Sequence, residues 1–136
     1  MVKEIIHDPF FLARKSAPAT ENDVCIADDL TDTLKANEER CVGMAANMIG
    51  EAVRIIVYRD GDVYGEMFNP EIIGGRSAYE AEEGCLSLDG VRKTKRYRII
   101  KVKWYTRDFK PRVKAFDGFT AQIIQHEIDH LNGILI

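Results

Sequence analysis

The residues best suited to chemistry stand in one short run, Gln125-His126-Glu127-Ile128-Asp129-His130. Histidines four apart lie on one face of a helix, one turn above the other, so both imidazoles can grip a single metal ion. The glutamate beside the first histidine is turned by about 100° around the helix, yet is long enough to reach a water next to that ion. This is the H-E-x-x-H pattern of metal-assisted hydrolysis. The ion makes water a better nucleophile, and the carboxylate takes its proton and later hands it on. Catalytic sites of this kind generally use three protein ligands. Only Leu131-Asn132-Gly133-Ile134-Leu135-Ile136 follows His130, with no His, Cys, Asp or Glu in it. A zincin peptidase takes its third ligand from downstream, so here the third ligand must lie upstream. Cys85, in Glu82-Glu83-Gly84-Cys85-Leu86-Ser87, is the best candidate; it follows a glycine that lets the backbone come close to another element. The alternative for any lone cysteine is a small buried hydrophobe, and Cys25, on the apolar side of a helical pattern, is read that way. His7 is read as an ordinary surface or loop histidine.

The elements that must position these residues follow from periodicity. Residues 1 to 20, with Pro9 and Pro18, read as an extended or irregular arm. From Asp23 to about Ala36 apolar residues recur at helical spacing, with Asn22 or Asp23 as cap. The segment 41 to 50, CVGMAANMIG, is uncharged and rich in small residues. Val53 to Tyr58 reads as a strand, Asp60-Gly61-Asp62 as a turn, and Val63 to Phe68 as the returning strand of a hairpin. Asn69-Pro70 is expected to break it before a short strand at Glu71 to Ile73. Ile99 to Tyr105 alternates apolar and basic residues, as a half-exposed strand does. A turn follows at Asp108 to Pro111, and Thr120 to about Leu131 is the helix that carries the histidines. Strands in the middle, a helix near each end and no βαβ alternation predict an α+β fold, mostly antiparallel sheet around the metal-binding helix, in one domain spanning residues 1–136.

Composition narrows the class of function. The chain has 136 residues, 30% charged and 46% hydrophobic, with a formal net charge of -3, which argues against direct nucleic-acid binding. The basic stretch Arg92 to Arg98 reads first as a solvated turn and strand edge, and second as a patch for an anionic group. No apolar run approaches the roughly 20 residues needed to span a membrane, and His7-Asp8-Pro9 interrupts any leader-like segment. Three scattered cysteines, Cys25, Cys41 and Cys85, disfavour a disulfide framework and fit a reducing, cytoplasmic setting.

Three segments, in order, resemble the peptide deformylase family. EGCLS at 83 to 87 and QHEIDHLNG at 125 to 133 match its cysteine and helix motifs, and CVGMAANMIG at 41 to 50 is similar to its first motif, G-x-G-x-A-A-x-Q-x-G. The resemblance of its segment is what sets Cys85 apart from other lone cysteines. HDPFFLARKSAPA at 7 to 19 and FNPEII at 68 to 73 agree as well, so the likeness covers nearly the whole chain. The resemblance implies removal of the formyl group from the N-terminal methionine of newly made polypeptides, with the formylated nascent peptide as substrate and the ribosome as a further partner. It implies Cys85, His126 and His130 as ligands of one divalent ion, Fe2+ in the cell, with Zn2+, Ni2+ or cobalt able to replace it. It makes Glu127 the acid/base and the Leu86 N–H a donor to the substrate oxygen. Gly43, Met48, Glu83 and Gly84 become substrate-contacting residues. Two departures stand out. Met48 replaces the family's glutamine, an amide donor whose loss can cost about 10² to 10³ in rate, and Asn47 stands where proline is frequent. Cys41 also replaces the motif's first glycine. With six residues after His130, the metal helix is expected to be less buttressed, unless another chain covers it. Other readings are a deformylase-like protein with another amide substrate or weak activity, a zincin peptidase, and a binding protein at the ribosome.

Overall fold

In the computed structural model, which describes residues 1–136, five antiparallel strands form one sheet in the order β1-β2-β3-β4-β5. They are β1 (Gly43–Ala45), β2 (Ile55–Asp60), β3 (Val63–Cys85), β4 (Leu88–Tyr105) and β5 (Pro111–Asp117). Three helices accompany them: α1 (Pro9–Leu12), α2 (Val24–Ala36) and α3 (Gly118–Leu131). The α+β, antiparallel expectation therefore holds. In α3 the apolar residues Ala121, Ile124, Ile128 and Leu131 recur at three- and four-residue spacing and are buried against Ile55 to Val57 of β2 and Ile100 and Val102 of β4. That burial fixes the rotation of α3, and so aims His126 and His130. No helix is long and apolar enough to cross a membrane.

Several local expectations change. Thr20 opens the first helical turn, its hydroxyl accepting from the Asn22 N–H and its own N–H given to the Asp23 carboxylate. Asp23 does stand at the N-cap position of α2, as expected, but makes no side-chain cap bond to it; the side-chain cap belongs to Thr20, at the start of the short turn before the helix. Cys25 is exposed, because it falls on the solvent side of α2 while Ala27, Leu30 and Leu34 face the core. Asn69-Pro70 does not end the hairpin: β3 passes through it as a bulge, with Asn69 at φ 51°. The Asn69 amide replaces the missing ladder bonds by accepting from Ala19 N–H at 2.7 Å and donating to Ala19 O at 3.1 Å. β4 begins eleven residues before Ile99, and β5 had no sequence signal strong enough to announce it. The basic stretch Arg92 to Arg98 lies within β4, where Lys93, Lys95 and Arg92 stand opposite Glu82, Glu80 and Glu83 of β3. Of these, Lys93 pairs with Glu80 at 3.9 Å, and the Glu83 carboxylate goes to Arg96.

The C-terminal end of α3 is firmly held. Ser16 N–H and the Arg54 guanidinium both donate to Leu131 O, at 2.8 and 3.1 Å, and Arg54 also reaches Asn132 Oδ1 at 2.9 Å. Gly133, at φ 76°, passes so close to the arm that a Cβ there would stand 2.3 Å from Ala13 O. The N-terminal arm supplies the buttress that the sequence was expected to lack.

Candidate metal centre and active site

The hairpin between β3 and β4 brings Cys85 to the face of α3 that carries the histidines. The His126 and His130 Nε2 atoms lie 2.9 Å apart, and Cys85 Sγ lies 3.4 Å from His130 Nε2. One donor atom from each of the three residues falls within 4.8 Å of the others. The two histidines are almost fully buried, His130 at 1% exposure. The outer nitrogen of His126, Nδ1, is fixed by the Glu83 carboxylate at 2.8 Å, which leaves Nε2 free to face inward. Burial, then the neighbouring charge of His126, pushes the His130 imidazole well below its usual range, so it stays a neutral lone-pair donor. Burial also disfavours charge on His126, but the Cys85 thiol, Glu127 and Glu83 outweigh it and raise its proton affinity. Two imidazole nitrogens and a sulfur converging in a buried place, with a carboxylate behind one ring, is a donor set that fits a transition-metal ion.

Glu127 is 4% exposed, and its Oε1 has no hydrogen-bond partner within the protein. Burial pushes its carboxyl up to about 7, against the opposing pull of His126. A carboxyl poised near neutrality can both accept and return a proton. Gly43 makes room for it. A Cβ at position 43 would stand 2.9 Å from Glu127 Oε2 and 2.6 Å from Ile123 Cγ2. The glycine that sterics demand is therefore Gly43. At Gly84 an added Cβ would meet only Gly90 O at 3.5 Å, an ordinary contact, which corrects the reading that Gly84 allows a close approach.

A cavity of about 540 Å³ opens over the site. Gly43, Met48, Glu83 and Gly84 all line it, as do Cys85, Leu86, His126 and Glu127, while His130 lies behind. Glu83 reaches the wall, but its carboxylate is engaged by His126, Arg96 and Gln122. Burial alone would raise its pKa; those three donors hold it down at about 2. Its carboxylate therefore orients a candidate ligand instead of facing the cavity. Met48 is 1% exposed, and its thioether accepts from the Ala45 N–H at 3.5 Å. Asn47 turns away from the cavity and donates to His130 O at 2.9 Å, so it is not a substitute for the missing amide donor.

Arg96 is the principal residue that the sequence reading missed. Only 3% exposed, it gives Nε and Nη2 to Glu83 and Nη1 to Asp129 at 2.6 Å. No local signal marks it: Arg96 shares its phase with buried Ile100 and Val102, but also with Arg98, which is exposed. Gln122, one turn before His126, completes the carboxylate's set at 2.9 Å.

The model of the polypeptide deformylase family matches residues 3–136. A peptide deformylase of Clostridium beijerinckii is 54% identical over 136 residues, covering 100% of both chains. One from Halothermothrix orenii is 42% identical, covering 96% of this chain and 86% of its own. Among solved structures, the peptide deformylase of Thermotoga maritima superposes with a TM-score of 0.89 at 31% identity, covering 99% of this chain and 95% of that one. The actinonin-bound class I type b enzyme of Acinetobacter baumannii superposes with a TM-score of 0.88 at 33% identity, with the same coverage. The convergence of Cys85, His126 and His130 beside Glu127, found on this sheet and helix, thus has a lineage: the chain belongs to the peptide deformylase family.

Proposed function

We propose that this chain is a metal-dependent hydrolase that removes the formyl group from the N-terminal methionine of newly made polypeptides, releasing formate and a free amine. The observation that carries this reading is the partnerless Glu127 carboxylate beside the Cys85, His126 and His130 donors, at the wall of a cavity. Cys85, His126 and His130 would hold the ion. When bound there, a divalent metal polarises the formyl carbonyl and lowers the pKa of water. Glu127 takes the water's proton as the C–O bond forms, and passes it to the nitrogen as the C–N bond breaks. The Leu86 N–H donates to the former carbonyl oxygen as its charge grows. Glu83, itself held by Arg96, keeps the His126 ring aimed.

On this reading the ion in the cell is ferrous iron, with zinc or nickel as replacements; a thiolate with two imidazoles suits each, and the thiolate exposes an iron-loaded site to oxidation. The enzyme acts as one domain, in the cytoplasm, on chains leaving the ribosome. The decisive assay is anaerobic turnover of a formyl-methionyl peptide by iron-loaded protein, beside its acetylated counterpart. Cleavage of the formyl peptide alone is expected. Absence of turnover with full metal loading would give the site to another amide.

Met48→Gln is expected to raise that turnover, by up to about 10²-fold, with metal content unchanged. Glutamine has the length of methionine. Its Oε1 can take over the Ala45 N–H that the thioether now accepts, which turns the amide NH2 toward the cavity. Met48→Leu, which offers no donor, should behave like the parent. An equal gain in the leucine variant would show that pocket shape, and not a donor, sets the rate.

A further inference from the structure

We infer that His7 is a positioning residue for the deformylation site: its ring donates to Ser87 O and so holds the turn that carries Cys85 and Leu86. The ring Nδ1 lies 3.0 Å from that carbonyl. A carbonyl oxygen only accepts, so Nδ1 carries the proton. One residue earlier, the Ile6 N–H donates to Met48 O at 2.8 Å. Two successive residues of the N-terminal arm therefore fasten both walls of the cavity, the first-motif segment at Met48 and the cysteine turn at Ser87.

The turn needs such a tie. Cys85 pairs with Leu88, so Leu86 and Ser87 form a two-residue hairpin loop. Loops of that length match the strand twist when one or both residues have positive φ, and otherwise splay the strands. Neither Leu86 nor Ser87 has positive φ; the non-glycine residues that do are Asn69, Ser77 and Phe109. The register also shifts between Gly84 and Cys85, so the ladder just behind the turn is irregular. Within the turn, the Ser87 N–H donates to Cys85 Sγ at 3.4 Å, and the Ser87 hydroxyl, though buried, has no partner. The bond from His7 is thus the one side-chain tie from outside the hairpin onto the Leu86–Ser87 pair. Through it the arm sets where the sulfur and the Leu86 N–H stand.

This role rests on the deformylase reading for its kinetic readout alone. Two variants separate donor from bulk. His7→Phe keeps a ring and removes the donor, whereas His7→Asn puts an N–H where Nδ1 was. In His7→Phe, kcat for a formyl-methionyl peptide should fall about tenfold with KM within about twofold, because the tie acts on the reacting geometry and not on the rest of the substrate. His7→Asn should stay within about threefold of the parent on the same scale. Amide hydrogen exchange, followed by NMR on the zinc-loaded proteins, gives a readout without activity. The Leu86 and Ser87 amides should exchange about tenfold faster in His7→Phe and at the parental rate in His7→Asn. Equal exchange and equal kcat in all three proteins would overturn the inference. Equal losses in both variants would overturn it too, since the donor would then be irrelevant. If even the parent fails to cleave the peptide, the deformylase reading falls, while the exchange rates still decide whether His7 holds the turn.

Discussion

Glu127→Gln and Glu127→Ala should each bind a full equivalent of metal and lose about 10² to 10⁴ of the hydrolysis rate. The glutamine variant is the cleaner of the two. It keeps the volume that Gly43 and Ile123 have been shaped around, and removes only the ability to carry a proton. Glu127 Oε1 has no partner in the protein, so replacing it by an amide breaks no existing hydrogen bond of that atom. The change in rate should therefore appear in kcat, with stability altered little. Metal content and turnover must be measured on the same sample. Loss of metal in step with activity would make Glu127 a ligand or a structural group, and the proton-carrier role would have to be withdrawn.

How much of this was legible in the sequence varied with how local the cause was. The spacing of His126, Glu127 and His130 is a property of one helix, and the helix forms where its apolar period places it. Cys85 was reachable by elimination and resemblance, although the 3.4 Å approach to His130 depends on a hairpin whose two strands are far longer than their sequence patterns suggested. The long strands were hidden because β3 is interrupted by Asn69-Pro70, a pair that usually ends a strand; the repair comes from Ala19, fifty residues away. His7 looked like a surface residue, and is indeed exposed, but its bond to Ser87 O spans eighty positions and leaves no local mark. Asn47 is similar, since its partner is the His130 carbonyl. Long-range side-chain bonds of this sort are set by the fold as a whole, so periodicity and capping rules do not reveal them.

Arg96 shows the same limit with the largest consequence for stability. Its run, Arg92 to Arg98, has the composition of a solvated strand, and five of the seven residues are cationic. Alternation alone does not tell Arg96 from its neighbours, since Arg98 shares its phase and is exposed; its burial follows from the carboxylates it meets. Once buried, its guanidinium stands between the carboxylates of Glu83 and Asp129, both at 2.6 Å, with Glu83 in turn bonded to His126. The planar fork can serve both at once, which a lysine ammonium cannot do with the same geometry. Arg96→Met removes the cation and leaves Glu83 buried beside Asp129 with no positive partner other than His126. Breaking a buried pair from one side costs about 3–5 kcal/mol, because the remaining charge is uncompensated. For a chain of this size that corresponds to a fall in Tm of about 10–20 °C. Metal affinity should fall as well, by about 10- to 100-fold, because Glu83 no longer holds the His126 ring in one orientation. Arg96→Lys should lie between the parent and Arg96→Met on both measures. Thermal unfolding with and without metal, together with a metal-binding titration, checks all of this. A Tm within about 3 °C of the parent in Arg96→Met would show that the two carboxylates simply take up protons or water, and that the ion-pair network is not what holds the β3–β4 ribbon against α3.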